Sequence, residues 1–189
     1  MITYAKVIND ETGLCEVGVG TNIEFYQSLG MTQQDVEQSD IDGNWYLADK
    51  CPHKSEEEKL QEAKEAKYTE ANQKAFEYLE SGNALFEFVQ DENIYHIEAT
   101  DGNIAKIGLK ATALLIAQDY ETTFPWNTKE DINIQINALE GQTIAEGLGN
   151  IQDKVWTVKF PAYNLAITEA ETIEEVNAIE IDYTMEIEE

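Results

Sequence analysis

One uninterrupted stretch, residues 55–79, constrains the fold of this chain more than any other feature of the sequence. It holds neither glycine nor proline, and Ser55, followed three residues later by Glu58, has the pattern of a helix-capping box. Its apolar stripe is thin at first and becomes regular later, at Tyr68, Ala71, Ala75, Phe76 and Leu79. We therefore predict a long charged helix with a solvated first half and a packed second half. It would be a spacer between two domains or, alternatively, a short seam between copies of the chain.

The residues before this helix predict a small module of strands and short helices. Apolar alternation, broken by turn residues such as Asn9 to Gly13, is typical of a β-hairpin. Asn22 has the side chain of a helix cap, and Gly30 is a typical residue to end that helix. The predicted elements are strands 2–7 and 14–19, helix 23–29, a helical turn that begins at Thr32 and runs to Val36, and strand 45–48.

The residues after the long helix predict a second and larger α+β module. The predicted elements are a hairpin of strands 85–90 and 94–99, helix 103–120, a loop at 126–127, strand 131–137, helix 140–170 interrupted at Pro161, a capped helical turn from Thr172, and a closing strand 179–183. Residues 186–189 are expected to be a frayed acidic tail. The sequence thus predicts an α+β fold of two small domains, 1–53 and 83–189, joined by a linker helix over 54–82.

Charge restricts the partners of the chain. Acidic residues number 38 against 12 basic ones, all of them lysine, which gives a formal net charge of −26. A field of this sign repels phosphate backbones and anionic membrane surfaces, so we expect no direct nucleic-acid binding. No apolar run approaches the ~18–20 residues that span a bilayer, and the N-terminus has no signal-peptide pattern, so we expect no membrane insertion.

The motifs that could carry chemistry are weak. Cys51 and His53 have the spacing of half a zinc site, but Cys15 and His96 would have to complete it from elsewhere, and we predict no metal or other cofactor. Both cysteines are expected to be reduced thiols, since two cysteines in an unsecreted chain rarely form a disulfide. Because the chain has only two histidines and no catalytic constellation, we predict that it is not an enzyme.

Two further patterns are interpreted as backbone features. Gly18-Val19-Gly20 lacks the third glycine of a dinucleotide-binding loop, where Ile23 stands instead, and we interpret it as a turn after the hairpin. Asp40-Ile41-Asp42-Gly43-Asn44 lacks the remaining ligands of a calcium loop, so we predict an Asx-type turn.

Two stretches resemble known proteins. Residues 2–48, from Ile-Thr-Tyr-Ala-Lys-Val through Val-Gly-Val-Gly-Thr-Asn-Ile-Glu-Phe-Tyr to Gly-Asn-Trp-Tyr-Leu, are similar to the N-terminal segment of tail-region proteins in phages and prophages of Gram-positive bacteria. Residues 99–183, above all Ala-Glu-Thr-Ile-Glu-Glu-Val-Asn-Ala-Ile-Glu, resemble an uncharacterised domain at the ends of such proteins. The resemblance transfers no active-site residues. It implies synthesis in the cytoplasm of a bacterial host and a place at the baseplate or the tail-fibre attachment region.

The resemblance also implies partners. These would be other tail, baseplate or fibre proteins, with a homo-oligomer as a further expectation. Natural interface anchors are the aromatic residues of the first module, Phe25, Tyr26, Trp45 and Tyr46. The alternative is that they form that module's own core, which is favoured for Trp45. The alternatives are a tail-fibre assembly chaperone and an acidic DNA mimic that inhibits a host enzyme.

Overall fold

The chain folds as an α+β protein, as the sequence predicts. The structure is a computed structural model that describes residues 2–184, so the predicted acidic tail lies outside the described residues. Backbone contacts divide the chain into two compact units, residues 1–61 and 62–189. The boundary falls inside the long helix, so the first turns of that helix belong to one unit and the rest to the other. The predicted division at 53/54 and 82/83 stays a prediction.

The first unit is built on a five-stranded antiparallel sheet with the strand order β3-β1-β2-β5-β4. Its elements are β1 (Ile2–Asn9), β2 (Leu14–Gly20), α1 (Ile23–Ser28), β3 (Thr32–Gln33), β4 (Val36–Gln38), β5 (Trp45–Leu47) and a 3-10 turn (Ala48–Lys50). Buried side chains within it include Tyr4, Ala5, Cys15 and Met31. So small a core gives a unit of this size modest stability.

Two predictions for this unit are wrong. The helical turn expected from Thr32 is absent, because Thr32 and Gln33 pair with β1 and residues 36–38 pair with β5, and the ladder hydrogen bonds outweigh the capping preference of threonine. The Gly18-Val19-Gly20 segment is not a turn but the second half of β2.

The glycines of β2 make room for an aromatic ring. A Cβ on Gly18 or Gly20 would overlap the ring of Tyr26, which lies against the strand. This ring also stacks on Tyr4 at 4.6 Å between centroids, and its hydroxyl donates to the carbonyl of Val19 at 2.8 Å. Tyr26 is therefore the residue through which α1 is held on the sheet.

The long helix α2 (Glu56–Glu80) begins at the predicted place. The Ser55–Glu58 capping box is confirmed: the amide of Ser55 donates to the Glu58 carboxylate at 2.8 Å, and the amide of Glu58 donates to the Ser55 hydroxyl at 3.1 Å. The predicted difference between its two halves is also confirmed, since its buried residues, Ala71, Ala75 and Leu79, all lie in the later half.

The second unit packs helices on two separate two-stranded hairpins. Its elements after α2 are β6 (Leu85–Gln90), β7 (Asn93–Glu98), α3 (Asp101–Ile116), β8 (Phe124–Asn127), β9 (Asn133–Ile136), α4 (Ala138–Asp153), a π-helical segment (Lys154–Lys159), α5 (Phe160–Glu169) and α6 (Ile173–Ala178). The loop expected at 126–127 is wrong, because these residues pair with β9. The largest fully buried side chains of this core are Ile97, Ile107, Ile136, Ile144, Leu148, Val155 and Val176.

The predicted interruption at Pro161 takes the form of a change in helix type. Residues 138–169 are helical throughout, and the π-helical segment ends two residues before Pro161. Proline lacks an amide proton, and its ring clashes with a regular helical carbonyl four residues back, so a wider turn relieves both problems. The segment also presents Trp156 to α2, where its ring lies 4.9 Å from Phe76.

The closing strand expected at 179–183 is wrong. This segment begins in an extended conformation at Ile179 but has no regular secondary structure and pairs with no strand among the described residues. Side chains satisfy its carbonyl groups instead: Lys67 donates to Ile179, Lys74 to Ile181, and Lys159 to Asp182. With the side chains of Ile181 and Tyr183 buried in the core, lysines take the place of a neighbouring strand.

Among the described residues, no helix combines the length and the apolar character needed to cross a bilayer.

Candidate functional site

The four aromatic residues predicted as interface anchors do not behave alike. Phe25 is 53% exposed and Trp45 is 37% exposed. Tyr26 and Tyr46 are each half-buried, Tyr26 against β2 and Tyr46 with its hydroxyl donating to Asp42 at 2.7 Å. Phe25 and Trp45 therefore remain available as anchors, whereas both tyrosines serve the unit's own structure.

Helix α1 adds apolar surface that the sequence analysis did not single out. None of its residues is buried. Its first residue, Ile23, is 49% exposed, and its C-terminal cap, Leu29, is 47% exposed. Phe25 and Leu29 are four residues apart, so they lie on one face of the helix. We call this pair the α1 face. Phe25 lies edge to face against Tyr26 at 5.2 Å between ring centroids, and about half of each side chain of the α1 face remains exposed.

Glu37, Cys51 and His53 form a cluster of metal-ligating side chains. One ligand atom from each residue lies within 4.8 Å of the other two, the only such group of three or more within residues 2–184. His53 Nε2 is 3.5 Å from a Glu37 carboxylate oxygen, and the Cys51 thiol faces the Glu37 carbonyl at 3.6 Å. We call these three residues the Glu37–Cys51–His53 cluster.

Asp40 faces the other side of the same imidazole. Its carboxylate lies 3.6 Å from His53 Nδ1, accepts the backbone amide of Lys54 at 2.8 Å and lies 3.7 Å from the Lys59 amine. The amide of Lys54 above all, together with the charges of Lys59 and His53, lowers the pKa of the Asp40 carboxyl group. Asp40 is therefore ionised and fixed beside the ring, where it can orient the imidazole.

The backbone around the cluster is tied down by a buried hydroxyl. Ser39 is 3% exposed, and its hydroxyl donates to the carbonyl of Pro52 at 2.7 Å. The same oxygen accepts the amide of Ile41 at 3.1 Å, and the Ser39 amide donates to Asn44 at 2.8 Å. Since Pro52 separates Cys51 from His53, these bonds join the loop after β4 to the segment that carries two of the three ligands.

The electrostatics of the cluster favour a cation. Burial, followed by the negative charges of Glu37, Asp40 and Asp42, raises the pKa of the Cys51 thiol. A thiolate is thus disfavoured by its anionic neighbours unless a positive charge accompanies it. Cys15 lies elsewhere in the unit, buried and donating to the carbonyl of Gly13 at 3.1 Å, and both cysteines are free thiols.

The Asx-type turn predicted at 40–44 is confirmed. Asp42 accepts the amide of Asn44 at 3.0 Å and the side-chain amide of the same residue at 2.9 Å. These bonds occupy the carboxylate that a calcium loop would need for its ion.

His96 lies between two glutamates, Glu87 and Glu130, on the second unit. Its Nδ1 is 2.6 Å from Glu130, and its Nε2 is 3.6 Å from Glu87. Hydrogen bonds, first from His96 and then from Thr128, lower the pKa of Glu130 to about 2. Cys15, which donates to the carbonyl of Gly13, is not part of the Glu37–Cys51–His53 cluster.

Sequence reasoning missed Glu37 and Asp40. Glu37 lies fourteen positions before Cys51 and reaches it only because β4 pairs with β5, an arrangement that the mistaken helical turn concealed. The one usable signal was the Cys-Pro-His spacing itself.

No protein-family model, curated protein or solved structure matches this chain. The relation to phage tail-region proteins, and the absence of enzymatic activity, therefore stay predictions.

Proposed function

We propose that this chain is a non-enzymatic attachment protein of a phage tail or tail-like particle, located at the baseplate or fibre attachment region. The α1 face, Phe25 and Leu29, binds a neighbouring tail protein. The observation that carries this proposal is that α1 buries none of its own residues while it presents large, half-exposed apolar side chains. A helix of this kind gains little from its own domain and is suited to burial against a partner.

The surrounding surface supports attachment to protein and not to nucleic acid. The net charge of −26 opposes contact with phosphates, and the chain contains no arginine. Phenylalanine and tryptophan are typical anchors at the centre of protein interfaces, and both Phe25 and Trp45 are accessible.

The test is the composition of purified particles. A tagged chain is expressed in the host that carries the gene, and its amount per particle is measured by quantitative mass spectrometry. We expect a fixed, stoichiometric amount for the natural sequence. Changing Phe25→Asp and Leu29→Asp together should remove the chain from particles while leaving it folded in the lysate.

The matched control is Leu109→Asp. Leu109 is 73% exposed on α3 in the other unit. Like each change in the double variant, Leu109→Asp adds one negative charge in place of an exposed apolar side chain, but it leaves the α1 face intact. The control should enter particles at the natural level. Absence of the natural chain from particles would refute the structural role. If the solubility of the co-expressed fibre protein then depends on this chain, the assembly-chaperone alternative replaces it. Retention of the double variant would exclude the α1 face.

A further inference from the structure

We propose that the first unit binds one divalent cation of the zinc class through Cys51 Sγ, His53 Nε2 and a carboxylate oxygen of Glu37. This inference does not depend on the proposed attachment function. It contradicts the expectation from sequence that the chain holds no metal, and it uses a ligand set in which Glu37 replaces the more distant cysteine and histidine.

The donor geometry is close to what the ion requires. Zinc bonds of about 2.0–2.3 Å in a tetrahedron place ligand atoms about 3.3–3.8 Å apart. The ligand atoms of the cluster lie within 4.8 Å of one another, and the His53 Nε2 to Glu37 distance is 3.5 Å. Displacements of about 1 Å in the three side chains would bring their ligand atoms to bonding distance of one ion, with a fourth coordination position left for water.

The donor chemistry selects the kind of ion. A thiolate and an imidazole prefer zinc and its transition-metal neighbours, whereas calcium and magnesium prefer oxygen alone. When the ion bonds to Cys51, the thiol proton leaves to solvent. The thiolate and the Glu37 carboxylate together balance the ion's charge of +2.

The surroundings resemble the outer ligand shell of a metal site. Metal-bound histidines typically donate their second ring nitrogen to a carboxylate, and Asp40 lies beside His53 Nδ1 at 3.6 Å. Asp40 is itself held by the Lys54 amide, and Ser39 fixes the carbonyl of Pro52 between the two ligands. These bonds hold in place the two segments that carry the ligands.

The experiment titrates the full-length chain, reduced and metal-free, with Co2+ and then displaces Co2+ with Zn2+. A bond between thiolate and Co2+ gives a charge-transfer absorption band, which weak binding to surface carboxylates does not produce. We expect the band to saturate at one equivalent of Co2+ and to vanish as Zn2+ is added.

Four variants and two controls locate the site. Cys51→Ser should abolish the band, and His53→Gln or Glu37→Gln should weaken Co2+ binding at least ~10-fold, while Asp40→Asn should weaken it ~10–100-fold with the band retained. The controls are the remaining histidine and cysteine of the chain, in His96→Gln and Cys15→Ser, which should leave band and affinity unchanged.

Circular dichroism of each metal-free variant checks that it is folded. Cys15 is buried; if Cys15→Ser prevents folding, His96→Gln, which changes a side chain in the second unit, serves as the control. The proposal is overturned if the natural chain shows no band, if the band persists in Cys51→Ser, or if His53→Gln binds Co2+ as tightly as the natural chain.

Discussion

The hydroxyl of Tyr163 both donates to the backbone carbonyl of Asp182 at 2.6 Å and accepts the backbone amide of the same residue at 2.9 Å. One side chain thus satisfies both backbone groups of a residue that has no strand beside it. The ring of Tyr163 also lies 5.3 Å from that of Tyr183, edge to face. Tyr163 therefore fastens the extended C-terminal segment to α5.

Removing that hydroxyl should loosen the segment without unfolding the core. Tyr163→Phe keeps the ring and its packing but leaves the amide of Asp182 to water and its carbonyl with Lys159 alone, at a cost of about 1 kcal/mol. We expect faster hydrogen exchange at the Asp182 amide and little change at amides of α4. Equal acceleration in both places would mean that the segment does not open independently of the unit.

Close packing of α4 on β6 predicts opposite effects at two neighbouring glycines. A Cβ on Gly147 would overlap the ring of Phe86, whereas a Cβ on Gly149 would meet nothing within 4 Å. Gly147→Ala should lower the free energy of unfolding by about 1–3 kcal/mol through overpacking. Gly149→Ala should raise it by about 0.4–1 kcal/mol, because alanine restricts the unfolded chain and favours helix. Chemical denaturation of both variants checks the contrast, and two effects of the same sign would contradict it.

The contact between β2 and α1 can be tested with a double-mutant cycle. Gly18→Ala should displace the Tyr26 ring from Tyr4 and destabilise the first unit by about 1–3 kcal/mol. In a Tyr26→Ala background the same change should cost much less, because the obstructing ring is gone. Hydrogen exchange in β1 and β2 measures the four stabilities. A cycle with no coupling energy would show that Gly18 is needed for some other reason.

The pair His96–Glu130 predicts a local dependence on pH. The pKa of Glu130 falls from 4.5 to about 2 in the folded chain, so the folded state is the weaker proton binder. The stabilisation is complete above pH 4.5 and is lost as the pH falls towards 2. His96→Gln should raise the Glu130 pKa towards 4.5, as measured by NMR titration of its carboxyl carbon. Asp119, whose pKa is lowered mainly by Thr122, is the control and should not change.

Local signals in the sequence predicted much of the fold. The capping pairs Ser55–Glu58 and Thr172–Glu175 both form, and the predicted hairpin forms with its second strand one residue earlier than expected, at 93–98. Helix caps and hairpin turns depend on residues that are close in sequence, so local sequence patterns predict them.

Two of the wrong predictions depended on partners that are distant in sequence. Thr32 pairs with a strand that begins thirty residues earlier, and the segment after Ala178 is satisfied by three lysines, two of which lie over a hundred residues away in sequence. The Glu37–Cys51–His53 cluster likewise depends on residues that are distant in sequence, since strand pairing brings Glu37 close to Cys51 and His53. Only a fold could reveal these contacts, because no local pattern distinguishes Glu37 from the other acidic residues of so acidic a chain.

The π-helical segment at 154–159 lets the helix tolerate a change of length at that point. A π-turn closes its hydrogen bond over one residue more than an α-turn, so deleting one residue there restores α-helical winding and leaves α5 near its present rotation, although it brings back the proline clash that the wide turn relieves. The ring contact of Phe160 with Tyr68 at 5.5 Å and the hydrogen bonds of Tyr163 with Asp182 would then be retained. The same deletion in the regular turns of α4 would instead rotate every later helical residue by about 100°.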